Sequence, residues 1–267
     1  RVSGAWVSAS GIDGATHFIG SAAVQDERRD QPPLSIQFVM PRADFEIVDD
    51  WHVMGMQGTG SKTVRATDVF IPARHTVKAL GPQRGVDTER SGDRLYANPM
   101  YRGRVGPFLI GESTAVAVGA ARGALDLFAD SMRGKRGMFP PHLERSADPE
   151  YHSHYGRALA WVSTAEAALV RAGEDYMEYA QAEADGGPKF DRAKELRLSL
   201  IEQQAIRMSW EAVELIFRTA GTSASAKQGA AIGRIFRNMA VINTHPALQL
   251  ERTGMAAAKL RLDPPPS

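Results

Sequence analysis

Hydrophobic and polar positions change their period about a third of the way along the chain. In the first part they alternate. Leu34, Ile36, Phe38 and Met40 fall on one face at period two before Pro41, which predicts a half-buried strand. Val64 to Ile71, closed by Pro72, is a second such run rich in β-branched residues, and His17 to Val24 is a third. The segments between them are short for crossover helices, so antiparallel pairing is expected. From Leu80 to Gly106 glycine and proline punctuate the chain, the composition of a connector.

Beyond it the pattern is helical. Pro107–Met132 is rich in Ala and Leu, Tyr151–Ala184 follows the stop at Pro140-Pro141, and Asp191 is placed to cap a helix running to Phe217. Ala220-Gly221-Thr222 breaks that helix, and Ala231 to about Lys259 reads as a fourth. The expected fold class is α+β: a mainly antiparallel β domain at 1–80, a connector at 81–104 and an antiparallel four-helix bundle at 105–267.

Composition narrows the chemistry. The 267 residues hold no cysteine, which removes disulfides, thiolate nucleophiles and cysteine-ligated metal centres together. A cytoplasmic location is compatible with that. Thirty-two basic against 31 acidic residues give a formal charge of +1, too little to steer the chain to nucleic acid. No uninterrupted apolar run of roughly 18 residues is present, so no membrane-spanning helix is expected. Arg1 looks like a cut into a longer chain rather than a natural beginning.

Three motifs invite a sharper reading. Gly55-Met56-Gln57-Gly58-Thr59-Gly60-Ser61-Lys62 imitates a phosphate-binding loop, but Ser61 precedes Lys62 and a strand follows where a helix is required. A glycine-rich turn explains the glycines, though not the gathering of small and hydroxyl residues. His152-Ser153-His154 lacks helical ligand spacing, so no metal site is expected there. His245, in an apolar helical context before Pro246, is on its own more often a packed histidine than a catalyst.

Taken in order, several strings resemble the middle β domain and C-terminal helical domain of the acyl-CoA dehydrogenase superfamily, and within it the two-component flavin-dependent monooxygenase branch. They are Ser3 to Asp13, Trp51 with Gly55 and Gly58 to Ser61, Asp68 to Pro72, Pro99 to Arg102, Gly119 with Ala124-Leu125-Asp126, Ala220-Gly221, and Arg237-Asn238 followed by His245. The resemblance covers nearly the whole chain, which is short of the family by an N-terminal helical domain. It also implies a flavin between the β domain and the bundle, in a homotetramer. Ser10 matches the hydroxyl beside flavin N5, with Ser8 and Gly11 in the same flavin-facing strand. Trp51 and Ser61 match positions that border the flavin, Ala220-Gly221 a small-residue turn that approaches it, and Arg136 the cation that meets its phosphate. Tyr101 and Arg102 match a loop beside the substrate.

Two branches of the superfamily differ in one carboxylate. Its commoner place follows the pair matched by Arg237-Asn238, where this chain has Thr244, His245 and Pro246. Its alternative place falls on Leu109. A histidine at position 245 is what the monooxygenase branch carries. The resemblance therefore implies reduced-flavin-dependent hydroxylation of a small, aromatic substrate through a C4a-hydroperoxyflavin. FMNH2 or FADH2 would come from a separate reductase, with O2 as co-substrate, Ser10 stabilising the oxygen adduct and His245 exchanging a proton with substrate or peroxide. The alternatives are an acyl-CoA dehydrogenase or oxidase with a relocated base, or a catalytically silent oligomeric homologue.

Overall fold

A computed structural model describes residues 1–24, 34–78 and 95–262. Most of the expected connector, residues 81–94, lies outside the described residues, as does the end of the chain after residue 262. The chain divides into two compact units, Arg1–Gly85 and Val86–Ser267.

The first unit holds two three-stranded antiparallel sheets. Strands β1 (Val2–Ala9), β5 (Lys62–Val69) and β4 (Glu46–Val48) form one, in the order β1-β5-β4. β2 (His17–Val24), β3 (Leu34–Pro41) and β6 (Thr76–Lys78) form the other, in the order β2-β3-β6. The period-two pattern of β3 is realised: Phe38 and Met40 are buried and Ile36 half-buried, while Ser35 and Gln37 face out. Phe18, Phe38, Met40, Phe45, Val64 and Ala66 make the core. Trp6 closes the two sheets on each other. Its ring lies 5.5 Å from Phe18 and 5.4 Å from Phe38, and its indole N–H donates to the Ser21 carbonyl at 2.8 Å.

β1 is irregular at the end that matters for the site. Trp6 pairs with Val64 but Ala9 with Lys62, so β1 carries one more residue than its partner over that stretch. The extra residue makes a bulge, and within it Ser8 takes φ 59°. Bulges bend a strand and re-aim the side chains that follow. The strand ends at Ala9, so Ser10 and Gly11 stand in the turn beyond it and not in one strand with Ser8, contrary to the expectation.

The second unit is helical. Its helices are α1 (Val105–Met132), α2 (Pro149–Ala184), α3 (Arg192–Thr219), the single turn α4 (Thr222–Ser225), α5 (Ala231–Ile242) and α6 (Leu250–Leu262). α3 packs against α1, α2, α5 and α6. Asp191 is the N-cap of α3, its carboxylate accepting from the Lys194 amide at 3.0 Å. Asp148 caps α2 in the same way, ahead of Pro149 at the first helical position. The core gathers Phe128 of α1, Val213 and Ile216 of α3 and Met239 of α5, beside a stacked Phe217–Phe236 pair at 4.1 Å.

Two expectations are corrected here. The run Ala231–Lys259 is not one helix. Pro246 has no amide hydrogen to continue a helical ladder, and the chain leaves α5 at Asn243 for a 3₁₀ turn, Pro246–Leu248, before α6. And α1, at 28 residues with a mean hydropathy of 1.2 over its most apolar window, is long and apolar enough to cross a membrane. Its charged residues are spaced so that no run is uninterrupted, yet the average stays high. Ile110, Ala117, Val118, Ala121, Ala124, Leu125 and Phe128 of that helix are buried within the unit, while Val105, Phe108, Leu109 and Val116 are exposed.

Candidate functional site

The β1 bulge, the turn after it and the glycine-rich turn before β5 form one polar surface. The Gly11 amide donates to the Thr59 carbonyl at 3.0 Å, which locks the two turns together. Ser10 Oγ then lies 3.0 Å from Ser61 Oγ, and Ser61 Oγ lies 3.2 Å from Thr59 Oγ1, whose hydroxyl donates to the Met56 carbonyl at 2.8 Å. Three hydroxyls thus run in line from exposed Ser10 through buried Ser61 to half-buried Thr59. This is what the small and hydroxyl residues of the imitation phosphate loop do: Gly60 and Met56 take left-handed φ of 53° and 56° so that the turn can close.

Ionic ties hold the surface from behind. Lys62 Nζ sits 3.0 Å from Asp49 and 3.1 Å from Asp13. Bonds to Asp49 and then to Asp13 raise its ammonium pKa above the ordinary lysine value. The space over Gly60 belongs to the same clamp, since a Cβ there would sit 2.6 Å from Asp13 Oδ2. Asp50 accepts from the Thr63 hydroxyl at 2.6 Å and from the Thr63 amide at 2.9 Å, and these bonds hold its carboxyl below the ordinary range. The Asp50–Thr63 link fixes the start of β5 against the Trp51 segment. Trp51 is half-buried, with its N–H donated to Met56 at 3.0 Å. Ser10, Gly11, Trp51 and Ser61 are therefore brought to one surface of the first unit, and Ser8 borders it in the bulge. The Gly11 amide, the Trp51 indole and the Thr59 hydroxyl serve the Thr59 and Met56 carbonyls, and exposed Ser10 Oγ at the end of the row is an acceptor that suits the N5–H of a reduced flavin, so this surface fits the group.

The helical unit carries the other expected residues in three places. The first is the loop between α1 and α2. Arg136 is exposed and bridges by backbone to Glu144, its side chain reaching the His142 carbonyl at 3.5 Å. Glu144 in turn accepts from the Gly134 amide, the main reason its carboxyl is held below the ordinary range. One residue on, the Arg145 amide donates to the Lys135 carbonyl at 2.8 Å, and its guanidinium crosses to the end of α3. There Nη1 donates to the Ala220 carbonyl at 2.9 Å, and the cation lies 4.9 Å from the Tyr151 ring centre. Gly221 adopts φ 86°, and a Cβ on it would stand 3.3 Å from Arg145 Nη2. Arg136 and Ala220-Gly221 thus belong to one assembly whose link is Arg145. The sequence gives no sign of that residue's part, because its partner is 75 residues away.

The second place is the turn between α5 and α6. His245 is exposed at its start, and its Nδ1 accepts from the Ala247 amide at 3.2 Å. A backbone amide can only donate, so Nδ1 is unprotonated and the neutral ring carries its hydrogen on Nε2. Asn238 to Gln249 contains no carboxylate, and Leu109, the other place matched for one, is exposed on α1. In the third place Tyr101 and Arg102 stand in a 3₁₀ turn, Pro99–Arg102, capped by Asn98, with Tyr101 stacked on Tyr96 at 4.8 Å. His152 bonds the Ser146 carbonyl at 2.7 Å, and among the described residues no cluster of three or more His, Asp or Glu side chains is gathered as for a metal.

Comparison with known proteins follows this geometry. Residues 112–250 match the family model described as "Acyl-CoA dehydrogenase, C-terminal domain". A pigment production hydroxylase of Rhodococcus sp. (strain ATCC 21145) is 30% identical over 268 residues, covering 100% of this chain and 66% of its own length. The oxygenase component of an FADH(2)-dependent resorcinol hydroxylase of Rhizobium sp. (strain MTP-10005) is 27% identical over 272 residues, covering 99% of this chain and 65% of its own. The chain thus spans slightly under two thirds of these relatives. Among solved structures, XiaF from Streptomyces sp., determined with FADH2 and glycerol, shares the fold at a TM-score of 0.85 and 20% identity, over 100% of this chain and 65% of the other. The chain belongs to the acyl-CoA dehydrogenase family.

Proposed function

We propose that this chain is the flavin-facing and helical part of the oxygenase component of a two-component monooxygenase that hydroxylates a small phenolic substrate. The observation that carries the reading is the turn after Asn238. Oxidation of an acyl thioester needs a carboxylate there, or at the place of Leu109, to take the α-proton; neither place has one, and this turn instead presents an imidazole with its hydrogen on Nε2. Such a group donates a hydrogen bond or a proton to an oxygen atom. Names of relatives support the same chemistry, resorcinol hydroxylase above all, and the word "component" in that name supports a separate reductase as partner.

A bound reduced flavin supplies the electrons that activate O2. The chain's own residues then have separate tasks. Ser10, backed by Ser61 and Thr59, meets the ring near N5; the Thr59 hydrogen goes to the Met56 carbonyl, so Ser61 donates to Thr59 and Ser10 to Ser61, and Ser10 Oγ is left as an acceptor for the N5–H of a reduced flavin. Ser8, Gly11 and Trp51 border the ring, and Arg136 meets the phosphate as a charge-assisted donor. Ala220-Gly221, held by Arg145, gives the close approach that a side chain would block. Tyr101 and Arg102 would contact the substrate, and His245 would donate from Nε2 to an oxygen atom at the reacting centre. Assembly as a homotetramer is part of the proposal.

The test is product formation by the full-length protein supplied with reduced flavin, O2 and a panel of phenols. His245→Ala should lower the hydroxylation rate by about 100-fold, the usual scale for one proton-transfer group, and leave flavin affinity within a few-fold. Undiminished hydroxylation in that variant would refute the role given to His245.

A further inference from the structure

Gln203 lies on α3, 2% exposed, and takes no part in the tasks described above. Its Nε2 donates to the Ala247 carbonyl at 2.9 Å across 44 residues of chain. Ala247 is also the residue whose amide donates to His245 Nδ1. The rest of the turn is local: the Leu248 amide donates to the His245 carbonyl at 3.0 Å, and Gln249 Nε2 donates to the Asn243 and His245 carbonyls at 2.9 and 3.3 Å. Those bonds shape the turn but bind it to its own neighbours. The Gln203 bond ties it to the buried face of the bundle.

We propose that Gln203 is a positioning residue for His245. By fixing Ala247 it keeps the Ala247 amide on Nδ1, and so keeps the imidazole as the Nε2–H tautomer facing the reaction. This rests on the reading of His245 as the proton-donating residue. The chemistry follows from the valence of each group. A carboxamide N–H can only donate, so it selects a carbonyl. A backbone amide can only donate, so it selects the unprotonated ring nitrogen, and the ring hydrogen is left at the far side. Without Gln203, Ala247 is released on one side, the amide drifts from Nδ1, and the Nδ1–H tautomer becomes accessible. An Nδ1–H ring turns an acceptor, not a donor, toward the substrate oxygen.

The test uses full-length protein carrying ¹⁵N-labelled histidine, with His245 identified by its loss in His245→Ala. Wild-type His245 should show an unprotonated Nδ1 and a protonated Nε2. Gln203→Met, which keeps length and removes the donor, should add a second tautomer. In turnover, Gln203→Met should lower kcat by about 10-fold, with KM for reduced flavin unchanged, as for other residues that orient a reacting imidazole. In a His245→Ala background the same change should cost nothing further, since a role exercised through one residue disappears with it. Gln203→Leu provides a second variant should the methionine pack poorly. A protonated Nδ1 in the wild type, a wild-type spectrum in both Gln203 variants, or equal losses with and without His245 would each overturn the proposal. Failure of the underlying reading looks different: hydroxylation would survive His245→Ala, whatever the spectra showed.

Discussion

Glu202 is the most exposed point of the bundle to pH, although it is the residue before Gln203 and just as deeply buried. Its side chain is 4% exposed, Oε2 has no hydrogen-bond partner, and Oε1 faces α1 where Gly111 leaves it room: a Cβ on Gly111 would lie 3.0 Å away. Burial alone pushes the carboxyl up to about 8 from an ordinary 4.5. The sign follows. In the folded protein the group keeps its proton while the unfolded chain loses it, so stability falls as pH rises from about 4.5 to about 8 and levels off above that. At ~1.4 kcal/mol per unit the full span has a ceiling of about 5 kcal/mol, and local relaxation brings the expected cost down to ~1–3 kcal/mol. Glu202→Gln removes the titration and keeps the shape. Urea unfolding at pH 5 and pH 8 should show the two proteins diverging with pH, the variant gaining ~1–3 kcal/mol relative to wild type between those conditions. An advantage that is the same at both pH values would show that Glu202 ionises freely in the folded bundle.

Other consequences are simpler to read. Gly221→Ala places a side chain at φ 86° and against Arg145, and should cost ~1–3 kcal/mol in unfolding experiments, with flavin affinity reduced as well. Asp50 has its carboxyl held below the ordinary range by the Thr63 hydroxyl and amide, so its contribution is present above that range and lost as pH falls through the folded value. Asp50→Asn should therefore give at neutral pH the Trp51 environment that the wild type shows in acid, as read by tryptophan fluorescence. Ser61→Ala removes the middle of the hydroxyl row and should weaken retention of reduced flavin by an amount near that of one hydrogen bond, ~1 kcal/mol.

Strands β2, β3 and β5 and the long helices were legible because their signals are local. Period-two burial in β3, the aspartate cap at 191 and the glycine at 221 each act within a few residues. The break after α5 was also local, at Pro246, but the apolar residues on both sides masked it. The row of hydroxyls was half visible: Gly58-Thr59-Gly60-Ser61 stood out as a cluster, yet its purpose depends on a bulge in β1, which only the pairing of Trp6 and Ala9 with β5 reveals. Arg145 and Gln203 could not be read at all. Each acts on a carbonyl far along the chain, at Ala220 and Ala247, and backbone carbonyls carry no sequence identity.

One measurement separates oxygenation from dehydrogenation outright. Full-length protein would be given reduced flavin and ¹⁸O2 in the presence of a phenol panel, with a parallel anaerobic sample of oxidised flavin and acyl-CoA. The account predicts one ¹⁸O atom in a hydroxylated phenol and no reduction of flavin by the acyl-CoA. Flavin reduction by an acyl-CoA, with no label appearing in any phenol, would contradict it.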